Sequence, residues 1–142
     1  MKLSKEKPPN IDEILKVFPS IFSDLDRTPI FCYGDTIYNA PDDLRRDLIY
    51  HEEVHSKQQG SNPTLWWTKY LHDKEFRLEQ EIEAYGNQYA LIKKILPSKF
   101  HKQALYEMAS SLSSDVYGRI IGHGEAESKI RNYAKNLNGK TN

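Results

Sequence analysis

The chain of 142 residues contains one cysteine, Cys32. A lone thiol cannot close an intramolecular disulfide, and there is no second thiol for a CxxC pair or a cysteine-based zinc site. A reducing compartment is the simplest fit. Long apolar runs are also missing. No stretch approaches the roughly 18 apolar residues that span a bilayer, and the opening Met1-Lys-Leu-Ser-Lys-Glu-Lys-Pro-Pro9 has no apolar signal segment. A cytoplasmic chain with no membrane partner is expected. Excess charge of either sign is absent too, with 20 Lys+Arg against 20 Asp+Glu. No general attraction to nucleic acid or an anionic surface follows from such a balance. The length suits one domain, and no repeat or low-complexity tract divides it.

What is present begins at Ile11. Residues 1–10 are polar with Pro8 and Pro9, a composition that builds no core, and are expected to be a mobile lead-in to a single domain over 11–142. Ile11, Ile14, Leu15 and Phe18 recur at helical spacing before Pro19. Two β-rich runs, Ile30–Tyr33 and Thr36–Tyr38, flank Gly34-Asp35 and predict a tight hairpin. Pro41, Asp42 and Asp43 supply a helix start and Gly60 a stop, so a helix is expected over 42–59. A short apolar helix follows around Leu65, Trp66, Trp67, Tyr70 and Leu71. A long amphipathic one is expected from Lys74 to Leu96, then helices near 99–112 and 124–137. The expected fold class is α+β, mainly helical, with a small hairpin sheet ahead of the 42–59 helix.

Within that helix stands His51-Glu52-Glu53-Val54-His55, a match to HExxH. Helical residues four apart lie on one face, so both imidazoles can converge on one Zn²⁺ at about 2.0–2.1 Å. Glu52 is one residue round the helix. There it can reach a water held on the metal without competing for the metal, serving as general base and then general acid. Leu44 and Leu48 share the histidine face and would carry it inward. The chain's own His and Glu frequencies give roughly one such match per 75 shuffled chains, so helical context must add to the motif.

Catalytic zinc usually has three protein ligands and an open position. The third is sought on the long helix, where Glu75, Glu79, Glu81 and Glu83 offer carboxylates. Leu78, Ile82, Tyr85, Tyr89 and Ile92 mark its apolar stripe. Glu81 borders that stripe, whereas Glu79 and Glu83 turn to the polar side with Gln80, Gly86 and Asn87. Glu81 is favoured and Glu83 is the alternative; His72, His101 and His123 are outside candidates.

His51-Glu-Glu-Val-His55 followed by Glu81-Ile-Glu-Ala-Tyr85 resembles the gluzincin branch of the zincin metallopeptidases. The resemblance covers about residues 29–92. It implies a zincin-like fold, a His-His-Glu zinc site with Glu81 as ligand, Glu52 as base, and a peptide or protein substrate. It also implies an edge strand before the active-site helix, supplied by the 29–39 hairpin as a docking edge. The run Tyr33-Gly-Asp-Thr-Ile-Tyr-Asn39 through Trp66-Trp67 and Phe76-Arg77 is similar to small uncharacterised proteins of phages and bacteria. Many gluzincins carry an aspartate four residues after the glutamate ligand. Here that position is Tyr85, whose phenol accepts an imidazole N–H bond less strongly than a carboxylate.

A hydrolase needs a donor for its oxyanion, and Tyr117, Arg119 and His123 are the candidates, with Gly122 and Gly124 marking a bend at His123. The plain alternative is a helix connector with an exposed histidine. Trp66, Trp67 and Tyr70 are expected in the core rather than a substrate groove. Cys32 is expected as a small core residue or an inert exposed thiol. The competing function is a noncatalytic, zinc-stabilised binding domain, which would show a fourth protein ligand such as His72 or His123. No oligomeric state is implied.

Overall fold

A computed structural model describes residues 1–23 and 29–139. Residues 24–28 and 140–142 of the expected domain lie outside the described residues. The fold is α+β and mainly helical, with six α-helices and one three-stranded sheet among the described residues. The chain gathers into two compact units, Met1–Asp73 and Lys74–Asn142. No helix among the described residues is long and apolar enough to cross a membrane.

The first unit holds β1 (Lys2–Leu3), α1 (Ile11–Val17), β2 (Phe31–Tyr33), β3 (Thr36–Tyr38), α2 (Arg46–Gln59) and α3 (Pro63–His72). The hairpin forms as expected, with Tyr33 opposite Thr36 and Cys32 opposite Ile37. Gly34 takes φ +63°, the left-handed conformation that a glycine-first two-residue loop requires. Segment 1–10, expected as a lead-in, instead supplies β1. It runs parallel to β3, and the sheet order is β1-β3-β2. Backbone pairing explains the difference: Lys2 N–H donates to Asp35 O and Ser4 N–H to Ile37 O, each at 2.9 Å. Such bonds need no apolar side chains. Pro8 is also fully buried.

The start of α2 corrects the sequence reading. Residues 42–43 form a turn and the helix begins at Arg46, after Arg45 in extended conformation. Its first-turn acid is Asp47, bound by the Arg45 guanidinium through Nε at 3.1 Å and Nη2 at 3.0 Å. Leu44 therefore precedes the helix and shares no helical face with His51. The stop is where glycine demanded it, with Gly60 at φ +56° donating to Ser56 O. Helix α3 starts on an Asn62 cap whose Oδ1 accepts from Leu65 N–H, with Pro63 in its first turn.

Two neighbouring faces of α2 carry different duties. The face with Ser56 and Gln59 is fastened to the hairpin. Ser56 Oγ donates to Gly34 O at 2.7 Å, Gln59 Oε1 accepts from Gly34 N–H at 2.7 Å, and Gln59 Nε2 donates to Cys32 O at 2.8 Å. Trp67 Nε1 donates to the same Cys32 carbonyl at 3.0 Å. The face with His51, His55 and Gln58 lies roughly a quarter-turn round the helix.

In the second unit α4 (Lys74–Ile95), α5 (His101–Leu112) and α6 (His123–Gly139) pack together, with 3₁₀ turns at Ser98–Phe100 and Asp115–Tyr117. Ala126, Ile130 and Ala134 form the inward stripe of α6 and are fully buried. Gly86, assigned by periodicity to the polar side of α4, is buried against Tyr133. A Cβ there would fall 2.8 Å from Tyr133 Cβ and Cγ. Periodicity is silent about a residue with no side chain, and only the close approach of α6 reveals its role.

Gln59→Leu is expected to destabilise the first unit by about 1–3 kcal/mol, because the Gly34 N–H loses a buried partner and Cys32 O loses one of two. Urea unfolding followed by the near-ultraviolet dichroism of Trp66 and Trp67 would read this as a lowered midpoint. An unchanged midpoint would show the fastening to be dispensable.

Candidate metal centre

His51, Glu52 and His55 are all buried on α2, at 4 %, 6 % and 5 % exposure, and Glu81 on α4 is 2 % exposed. The imidazoles meet edge to face with ring centroids 4.8 Å apart, and their Nε2 atoms are separated by 3.1 Å. Two neutral lone pairs at that distance repel, so either a proton or a cation belongs between them. A tetrahedral zinc with bonds of about 2.0–2.1 Å sets its donors about 3.3–3.4 Å apart, close to the spacing seen here. Two imidazole nitrogens converging in this way on one helix suit a borderline divalent cation such as zinc.

Aromatic rings shelter His55. Trp66 lies with its ring centroid 5.3 Å from that of His55 and Tyr70 at 6.5 Å, while Trp66 and Tyr70 stack at 4.8 Å. These rings are buried, as expected of core residues, and the same burial makes them a wall beside the imidazole. His55 Nδ1 stands 2.8 Å from Gln58 Oε1. Sequence reasoning missed Gln58. Its signal was the spacing of three residues after His55, which places an amide on the imidazole face of the same helix.

Glu79 is exposed, and Glu83 accepts a bond from Tyr133 Oη at 3.3 Å. Tyr85 is buried, with its hydroxyl 2.7 Å from that of Tyr117, and Tyr117 O accepts from Arg77 Nε at 3.0 Å. Arg119 is exposed and ion-paired with Asp115. His123 is the first residue of α6 and follows a bend at Ile121. Its Nδ1 is 3.3 Å from Ser110 Oγ, its Nε2 is 3.4 Å from Glu127 Oε2, and its ring packs on Tyr106. His101 Nε2 donates to Leu96 O, and His72 is exposed at the end of α3.

The hairpin was expected to offer a docking edge for peptide. β2 is an edge strand, yet its outward Cys32 carbonyl already accepts from Gln59 and Trp67. That carbonyl is covered from within the chain. The Cys32 side chain is a core residue at 2 % exposure. Burial first, then the charge of Glu52, pushes its thiol far above the usual value.

Searches against protein-family models, curated proteins and solved structures find no match to the chain.

Cys32 is expected to react slowly with a thiol reagent in the folded chain and promptly after denaturation; equal rates would contradict its burial. Because its folded value is raised, the unfolded chain releases this proton first. Stability is therefore fully present below about pH 8.5 and falls as pH rises above it. Cys32→Ala should remove that part of the alkaline loss.

Proposed function

We propose that the chain is a zinc-dependent hydrolase of the gluzincin type, acting on a peptide or protein substrate. The observation that carries this reading is the buried pair His51 and His55, whose Nε2 atoms stand 3.1 Å apart on α2 with Glu52 buried beside them. With Glu81 as the third ligand, as the likeness of the sequence to gluzincins implies, a coordination position is left open, as catalytic rather than structural zinc requires. The single buried thiol agrees with a cytoplasmic setting.

His51 and His55 would hold the ion through Nε2, and Glu81 through a carboxylate oxygen. Zinc supplies Lewis acidity, which lowers the cost of generating a nucleophile from water at neutral pH. Glu52 takes the proton from water as its oxygen attacks the scissile carbonyl. The same carboxylic acid then gives that proton to the departing nitrogen as the C–N bond breaks. Trp66 and Tyr70 keep bulk water from one side of His55, which strengthens the electrostatic interactions there.

Metal analysis of chain purified after zinc-replete expression should find one zinc, lost in the His51→Ala/His55→Ala double variant. A metal-free wild type would overturn the reading. Glu52→Gln should retain zinc and lose hydrolysis of a susceptible peptide by about 10²–10⁴-fold. Zinc retained by the wild type without hydrolysis across a peptide library would favour the noncatalytic binding domain instead.

A further inference from the structure

A neutral imidazole has one N–H and one lone pair, and the partner of one nitrogen decides what the other can do. For His55 that partner is the Gln58 carboxamide, with Oε1 2.8 Å from Nδ1. A carboxamide oxygen offers only lone pairs, so Nδ1 carries the hydrogen. The lone pair is then on Nε2, the atom 3.1 Å from His51 Nε2. The ring is also flanked by Trp66 and Tyr70.

We propose that Gln58 is the positioning residue of this centre, fixing His55 in its Nδ1–H form so that Nε2 is ready to bind a cation. The proposal rests on the reading of His51 and His55 as metal ligands. Gln58 is three positions from His55 on one helix, so formation of α2 sets the pair in place without any further element. Partners of this kind are worth about 10–100-fold in metal affinity. A neutral amide does this without adding a charge beside the ligands.

The test uses ¹⁵N-labelled full-length chain. Imidazole nitrogen shifts of the metal-free protein in mildly alkaline buffer report the His55 tautomer, and titration with zinc in competition with a chelator reports affinity. Wild type is expected in the Nδ1–H form. Gln58→Ala should shift His55 toward the Nε2–H form and weaken zinc binding by about 10–100-fold. Gln58→Glu keeps an acceptor oxygen and should restore both, which a loss of folding would not allow. An unchanged tautomer in Gln58→Ala, or unchanged zinc affinity, would overturn the proposal. Should wild type take no zinc, the ligand reading fails by itself. The tautomer comparison then decides Gln58: a shift in the alanine variant supports its role and no shift overturns it.

Discussion

The carboxamide of Gln59 is the constraint on which the first unit turns. It answers one donor and one acceptor of the hairpin at once, Gly34 N–H and Cys32 C=O, at 2.7 and 2.8 Å. Backbone groups buried at a sheet edge must find partners, and leaving one without is costly. With Ser56 bonded to Gly34 O on the same side, rotation of α2 about its axis would break three bonds together. Fixing that rotation also fixes where residues 51, 55 and 58 point. The imidazole face is oriented by bonds made on a different face.

This division explains why so much polarity can be buried along one helix. Asp47, His51, Glu52, His55 and Gln59 are all buried on α2. Buried polar groups are tolerated when each has a partner, and some of the partners here are close in sequence. Arg45 holds Asp47, Gln58 holds His55, and His51 faces His55. The apolar material is supplied by α3, where Trp66, Trp67, Tyr70 and Leu71 are buried. Helix α2 contributes buried polar groups and α3 contributes apolar surroundings.

Much of this was legible in the sequence where one local rule decided the outcome. Gly34 and Gly60 marked the hairpin turn and the end of α2 because both sites need positive φ. The hairpin strands followed from their β-rich runs, and α3 from its apolar residues around Leu65, Trp66, Trp67, Tyr70 and Leu71. The start of α2 was misread because Pro41, Asp42 and Asp43 look like a first helical turn, whereas Asp47 with its Arg45 partner fills that role. β1 was invisible because its pairing is made by backbone atoms. Gly86 was misplaced because its importance lies in what Tyr133 does beside it. Of the candidate site, the HExxH pair and Glu81 could be selected by spacing and by proximity to an apolar stripe. Burial of Glu81 reflects a face that is itself partly polar, with Arg77 and Gln88 buried on the same helix.

Gln58 shows what a resemblance can leave out. Comparison with gluzincins fixes on the position four after the glutamate, Tyr85 here, and is silent about an amide one turn ahead of His55 on its own helix, 2.8 Å from Nδ1. A carboxylate in that place would also accept the N–H and raise the basicity of the imidazole, but it would add a negative charge close to Glu52, which is buried on the same helix. An amide keeps the direction of the hydrogen bond, so the tautomer is chosen without a further buried charge.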